Sequence, residues 1–402
     1  METTDKTNTQ NESKISLHTY MTALYLFLMP LGLIPVLGGI SLLKILTYPI
    51  AIVCVICYFN DKTELNFNLT QLLFAVFIMY TALSVLYYDT YESEQSVCGF
   101  VQIMFVSFVF CCRKCNKYEY KVIEKSFVLM GIAVLVLFFL SGKTLLEGRN
   151  TLTILGTPAD PNELCGYLIL PEIFCFKYIF SQKSNLKSKI FYAVYLLFIV
   201  FAALKTGSRG GLLAIMFTAV LYSVTGVKET KRKAAALAAV IIIAVIAAKL
   251  VIPNLPGKIA ERMAIERIIE DRATGRLDIW KILIDDTLKS NKSYLIGGGT
   301  TSAIDALKGA DIGNTVAHNQ FIQVFHDGGL IGTVLFVSAY ASAILQNLKR
   351  NIYASIAAAG FAVLGMTLTF DPSMKIFWNT FMFCMMRFES DDNFFPSKQH
   401  LN

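Results

Sequence analysis

Three polar segments in an otherwise apolar chain hold the side chains fit for chemistry. The first, Thr206-Gly207-Ser208-Arg209-Gly210-Gly211, sets one guanidinium among small residues where a helix is expected to begin. Small residues let backbone approach a ligand closely. Free N–H groups at a helix N-terminus, joined by a guanidinium, suit a phosphate. The second, Asp271 to Trp280, contains Arg272, Arg276 and Asp278. Arg272 and Arg276 are four apart and share a face if the segment is helical, and paired guanidiniums suit a pyrophosphate. The third is His318-Asn319-Gln320, followed by His326-Asp327-Gly328-Gly329. A neutral imidazole at a membrane edge can take a proton from a sugar hydroxyl. A fourth segment, Thr157 to Glu163, offers Asp160 and Glu163 to position an acceptor or to partner an arginine.

Each segment also has a plain reading. The first is a glycine-rich turn with a snorkelling arginine, and the second a solvated amphipathic face. His318 is then a hydrogen-bonded structural residue, and Asp160-Pro161-Asn162 a helix-start turn. His326 reads as a core polar contact rather than a catalytic group. The two histidines do not share a face and lack an acidic ligand set, so a metal site is not expected.

The elements that must carry these segments follow from composition. The 402 residues are 55% hydrophobic and 16% charged, against about 25% charged in soluble domains. Apolar runs of roughly 20 residues recur, the length of a membrane-crossing helix, and lipid satisfies no exposed backbone. The expected fold is an all-α polytopic bundle of about twelve spans: 20–37, 42–59, 69–88, 96–112, 125–140, 164–180, 190–204, 211–227, 234–252, 319–345, 352–370 and 376–386. Residues 1–19 and 389–402 are polar tails. Residues 20–252 hold nine spans, 253–317 form one long loop, and 318–388 hold the last three.

Basic clusters follow even-numbered spans only: Arg113 to Lys121, Lys183 to Lys189, Lys228 to Lys233, and Lys349-Arg350. By the positive-inside rule those loops and both termini are cytoplasmic. The acidic loop 89–95 and the long loop 253–317 are then outside, with all three chemical segments. The net charge of +7 is explained by span ends and is no nucleic-acid signal. The first apolar run reads as a retained anchor without a cleavage site. The cysteines read as reduced thiols, Cys111, Cys112 and Cys115 included, because no histidine or second cysteine pair lies near. In the long loop, charges interleaved with apolar residues from Lys258 to Asp271 predict an amphipathic helix. A second helix is expected over Leu277 to Leu288, a break at Gly297 to Gly299, and a glycine-punctuated loop over Asp305 to Asn314.

Taken together the segments resemble the O-antigen ligase and polymerase family of bacterial envelope glycan assembly. The pieces are Asp160-Pro161-Asn162, Ser208-Arg209-Gly210-Gly211, Thr274-Gly275-Arg276-Leu277-Asp278-Ile279-Trp280, Ile296-Gly297-Gly298-Gly299, His318-Asn319 and Asp327-Gly328-Gly329-Leu330-Ile331-Gly332. They stand in the family's order, with its long outer loop before the histidine. Asp327 sits where many relatives have Glu, and an apolar residue follows Gly211.

The resemblance implies a metal-independent, GT-C-like glycosyltransferase in the bacterial cytoplasmic membrane, without cofactors, using glycan on undecaprenyl pyrophosphate. By it, Arg209, Arg276 and Arg272 bind the pyrophosphate, and His318 acts on the acceptor hydroxyl. Asp160, Asn319 and Ser208 support the acceptor or the structure. Membrane lipid and other glycan-assembly proteins, a chain-length regulator among them, are the implied partners. Polymerisation of repeat units is the leading activity, and a ligase is the near alternative. A transporter is the distant one, because spans nearly free of charge, Glu172 being the main exception, argue against a path through the membrane.

Overall fold

The computed structural model describes residues 15–37, 40–61, 65–141, 145–146, 149–154, 157–263, 275–313 and 315–388. The first nine helices are α1 (Leu17–Phe27), α2 (Leu42–Asn60), α3 (Leu69–Leu83), α4 (Tyr91–Cys111), α5 (Lys117–Leu140), α6 (Pro161–Phe180), α7 (Leu186–Thr206), α8 (Arg209–Thr225) and α9 (Thr230–Ile246). Four short helices follow: α10 (Gly257–Met263), α11 (Arg276–Thr287), α12 (Asn291–Ile296) and α13 (Ala303–Gly309). The chain closes with α14 (Gln320–Arg350), α15 (Ile352–Gly365) and α16 (Lys375–Met385). The described strands pair only in two-stranded ladders, so the fold is all-α.

Seven stretches are long and apolar enough to cross a membrane: Leu42–Asn60, Leu69–Leu86, Tyr91–Cys111, Lys117–Leu140, Leu186–Thr206, Thr230–Asn254 and Gln320–Arg350. Only 11% of the apolar window in Thr230–Asn254 is buried inside the protein. A helix so apolar with so little protein around it needs lipid as its solvent, and this is a multi-pass membrane protein. The other apolar runs form shorter or more polar helices of the same bundle. The run 20–37 stops being α-helical after Phe27. Pro30 opens a 3₁₀ turn, Met29–Leu33, and Pro35 starts a short antiparallel ladder with Ile40–Ser41. Proline lacks the N–H and clashes with the preceding turn, so the pair ends the helix rather than kinking it.

Helix α6 is the axis of the bundle, with every residue from Pro161 to Phe176 buried. It carries Glu172, which accepts a hydrogen bond from Thr218 Oγ1 of α8 at 2.8 Å. Lys177, near its far end, pairs with Glu124 of α5 at 2.6 Å and lies over the Tyr353 ring. These buried charges are partnered, as a low-dielectric setting requires.

Side-chain ties at the helix ends sort the bundle into two poles. Glu119, at the start of α5, accepts from Ser16 before α1 and pairs with Arg113 at 2.8 Å. Arg232 of α9 donates to Phe180 O at the end of α6. Asn347 near the end of α14 donates to Cys384 O of α16, and Lys114–Cys115 pairs in parallel with Arg387–Phe388. The four basic clusters therefore gather at one pole. The cysteines there are packing groups: Cys111 Sγ donates to Met382 O, and Gln71 donates to Cys112 Sγ.

At the opposite pole α11 to α13 form a cap with a small core of Ile279, Leu283, Ala303, Leu307 and Ala317. The expected helix at 277–288 corresponds to α11; that at 258–271 meets α10 as far as Met263, and residues 264–274 lie outside the described residues. The expected loop over 305–314 is partly helical. Ala303 and Leu307, one turn apart, pack beneath α11 and draw α13 out of the glycine-rich stretch. The cap is sewn to α14 by backbone: the N–H groups of Gly298 and Gly299 donate to the carbonyls of His326 and Asp327, both at 2.9 Å. Gly329 sits at φ 61, ψ −160, the kink of α14. A Cβ there would strike Gly297 N and the Leu295 carbonyl.

Gly329→Ala should therefore lower stability by at least about 2 kcal/mol, the scale of one residue forced into a glycine-only conformation. Gly328→Ala, whose added Cβ meets only Tyr80 Cε1 at 3.5 Å, should cost far less. Thermal unfolding of the two variants in one lipid or detergent tests the contrast.

Candidate functional site

The site starts with two helix N-termini that cap one another. Asp160 caps α6, its carboxylate accepting from Asn162 N at 2.6 Å and Asn162 Nδ2 at 2.7 Å. The remaining oxygen of that amide, Asn162 Oδ1, accepts from Ser208 Oγ at 2.5 Å and from Arg149 Nη2 at 3.3 Å. Ser208 caps α8, accepting from Gly211 N at 3.0 Å. Arg149 Nε donates to Thr206 O at the end of α7. Gly211 has to be glycine, because a Cβ would collide with the Cys165 side chain of α6. Donors left over from the first turns of α6 and α8 are thus met inside the protein.

This junction sets Arg209 as the first residue of α8, half-buried. Its Nε donates to Arg262 O of α10 at 2.6 Å. Helix α10 lies there because Ile259 is fully buried against Leu204 and Leu255. Arg276 opens α11, whose Ile279 and Leu283 are buried in the cap core. Burial pulls the Arg276 guanidinium below the usual arginine pKa. Asp160 works against that shift, and Arg262 and Arg209 add to it. Arg209, Arg262, Arg276 and Asp160 are therefore close enough to feel one another's charge. Arg262 Nε is buried and finds no acceptor among the described residues. Three guanidiniums beside two helix N-termini make a strongly electropositive recess.

His318 stands at the start of α14, half-buried and in the left-handed region at φ 49. Its neighbours hold it there. Trp280 Nε1, one turn beyond Arg276, donates to Ala317 O at 2.9 Å. Ala317 N donates to Gln323 Oε1 at 2.9 Å. Asn319 caps α14, accepting from Phe321 N and Ile322 N at 3.0 and 3.2 Å. The segment after α15 joins this end to α8: Phe370 N donates to Gln320 Oε1 at 2.6 Å, and Thr367 packs on Gly210.

Of the residues picked from sequence, Arg209, Arg276 and Asp160 thus meet at one pole of the bundle. His318 is fixed to the same pole through Trp280 and the segment 367–370. Ser208 and Asn319 serve as helix caps. Arg272 lies outside the described residues. His326 is buried, with Nε2 3.1 Å from Asp286 Oδ2 and Nδ1 3.3 Å from Asp327 Oδ1. It is a core contact holding α14 to the cap. Among the described residues no three His, Cys, Asp or Glu side chains gather as metal ligands would.

Sequence reasoning missed Arg262 and Arg149. Arg262 sat among other charges in an amphipathic pattern, with no motif to single it out. Arg149 lies in a short hairpin whose partners are far off along the chain, and a lone cation in a polar stretch between apolar runs was its only signal.

The O-antigen ligase family model matches residues 194–337, which include Arg209, Arg262, Arg276 and His318. No curated protein matches the chain. A solved structure titled "Structural coordination of polymerization and crosslinking by a peptidoglycan synthase complex" is similar over 80% of this chain and 97% of its own, at 14% identity and a TM-score of 0.48.

The Asp286–His326 tie has a measurable pH dependence. Burial acts to raise the Asp286 pKa, but hydrogen bonds from Lys289 and His326 outweigh it and hold the carboxyl below its usual 3.8. A depressed folded-state pKa contributes stability that is complete above the ordinary value and lost as pH falls through the folded one. The cap should loosen on acidification below about pH 4, and Asp286→Asn should flatten that dependence. Fluorescence of Trp280 in a Trp378→Phe background, melted between pH 6 and pH 3, reads it.

Proposed function

We propose that this membrane protein, whose residues 194–337 carry an O-antigen ligase-family domain, transfers glycan from an undecaprenyl-pyrophosphate donor to a sugar hydroxyl outside the cytoplasmic membrane of a bacterium. The family match supports glycan transfer of the O-antigen ligase or polymerase type. The donor, the acceptor and the residue roles are our reading. It places repeat-unit polymerisation for a surface polysaccharide first. The reading keeps the twelve-span topology with both termini inside, the outer loop over 253–317, and a GT-C-like catalytic arrangement.

The observation that carries it is the gathering of Arg209, Arg262 and Arg276 beside the N-termini of α6 and α8. A pyrophosphate fits that charge, and Arg262 Nε offers a buried donor for it. An apolar cleft supports the lipid part of the donor. It runs from Arg209 past Leu212 and Met216 to Ala219, is walled by α7 and α9, and spans about 1240 Å³ with its open side. A polyprenyl chain in that cleft keeps its tail in a hydrocarbon setting and its head among the guanidiniums. The basic clusters at the opposite pole support an outward site under the positive-inside rule.

Pyrophosphate is already a good leaving group, so no nucleotide is needed outside the cell. In the proposed step the acceptor hydroxyl oxygen attacks the anomeric carbon and its proton passes to His318. The bond from that carbon to the pyrophosphate oxygen breaks, and the electron pair leaves on the lipid pyrophosphate. Arginine charge stabilises the leaving group, and a positioned base contributes about 10²–10⁴-fold. A chain-length regulator or another glycan-assembly protein would act beside this site.

His318→Ala should abolish glycan transfer while leaving expression and folding intact. Polymer of normal length made by that variant would remove His318 from the mechanism. Arg209→Lys should also be severely impaired, because an ammonium lacks the planar fork that grips phosphate and carbonyl together. Lipid-linked glycan from cells lacking the gene decides the type of transfer: single repeat units on lipid indicate a polymerase, long chains on lipid a ligase.

A further inference from the structure

A second chamber opens at the same pole, beside the His318 segment. Its walls come from α3, α4, the cap and the first turns of α14, and it spans about 790 Å³ with its mouth. Thr315, Val316 and Gln320 line it, so it reaches the chain on both flanks of His318. Its chemistry is unlike that of the arginine recess. Among the described residues no lysine or arginine lines it. The walls carry aromatic rings, Phe77, Tyr80, Tyr87 and Phe100, together with hydroxyl and amide groups.

Most of those polar groups are engaged within the protein. Ser84 Oγ and Thr300 Oγ1 bond one another at 2.8 Å, and Gln323 Nε2 donates to Asp327 Oδ2 at 2.9 Å. Two are not. The hydroxyls of Thr301 and Thr369 are buried and find no hydrogen-bond partner among the described residues. The residue Thr369 is 8% exposed. An unpaired buried hydroxyl costs stability that a methyl group in its place would not. Thr301 carries a further cost. It is β-branched yet held at φ 70, its N–H donating to Asp327 Oδ2 at 3.2 Å. Strain of this kind persists where surrounding structure enforces it, and it gathers at ligand sites. Here it holds an unpartnered hydroxyl in a residue that lines a chamber reaching both flanks of His318.

We propose that this chamber binds an uncharged, hydroxyl-rich sugar ring of the acceptor, gripped by the Thr301 and Thr369 hydroxyls and stacked on the aromatic walls. The proposal rests on the glycan-transfer reading for the word acceptor. A neutral ring needs no cation, offers hydroxyls to two waiting ones, and presents C–H faces to aromatic rings. An anion would meet Asp327 and Asp371 in the same walls and be repelled. The donor head and the acceptor then occupy separate chambers, the acceptor's reaching both flanks of His318.

The test uses the full-length protein in nanodiscs and two probes. One is the free repeat-unit oligosaccharide, released by mild acid from the producing cells' own lipid-linked glycan. The other is inorganic pyrophosphate. Thr369→Val and the double variant Thr301→Gly/Thr369→Val remove the hydroxyls. Glycine accepts a positive φ and valine keeps the volume, so melting temperatures should hold or rise. Oligosaccharide binding should weaken, and the acceptor KM rise, by about fivefold for the single variant and tenfold or more for the double, the scale of one or two lost hydrogen bonds. Pyrophosphate binding should not change, and Thr301→Ser/Thr369→Ser should restore oligosaccharide binding.

Unchanged oligosaccharide binding and acceptor KM in the double variant would overturn the proposal. So would wild-type protein that binds no oligosaccharide, or an equal loss for both probes. Failure of the donor reading looks different: pyrophosphate binding indifferent to Arg209→Ala, with oligosaccharide binding still lost in the threonine variants.

Discussion

The N-terminus of α6 has to be satisfied from inside the protein, and much of the rest follows from that. A helix buried on all sides leaves its first N–H groups without water, and each unmet group in such surroundings costs heavily. Asp160 and Asn162 meet this need, and Asn162 takes its own partners from Ser208 and Arg149. Ser208 in turn caps α8. One small network therefore fixes the starts of two helices and the end of a third at a single level of the bundle. Arg209 is the next residue after Ser208, so its guanidinium is delivered to that level by the cap itself.

The same requirement shapes the cap above. Its helices are short and its core small, so it cannot hold its geometry alone. It borrows order from the bundle through backbone: the glycines at 297–299 lie on the carbonyls of His326 and Asp327, and Trp280 pins the carbonyl before His318. These contacts set the start of α11, and with it Arg276, relative to the start of α14. The arginine recess and the histidine are thus positioned by main-chain and cap contacts. Glycan transfer from a lipid pyrophosphate asks for that positioning, since positive charge and a base must be presented together.

Apolar packing supplies the other half of the design. The cleft from Arg209 to Ala219 is lined mainly by hydrocarbon, with Glu172 and Arg209 also in its walls, while the chamber beside Thr301 and Thr369 joins aromatic rings to hydroxyls and amides, with no lysine or arginine among the described residues.

The sequence alone determined the membrane class and the helical content, because the length and apolarity of each run are local properties that survive without coordinates. Arg209, Arg276 and His318 stood out for the same reason, each being an unusual residue in an apolar chain at a helix start. Some local readings gave way to packing: Pro30 and Pro35 ended a helix expected to continue, and Ala303 and Leu307 drew a helix out of a glycine-rich loop because α11 offered them a core. Tertiary structure decided the assembly. That Arg262 joins Arg209 and Arg276, that Arg149 locks α6 to α7, and that Ser208 and Asn162 cap each other all depend on contacts between residues 13 to 67 positions apart. No local pattern encodes such pairings. They exist only because helices that must satisfy every backbone group out of water are driven to share their caps.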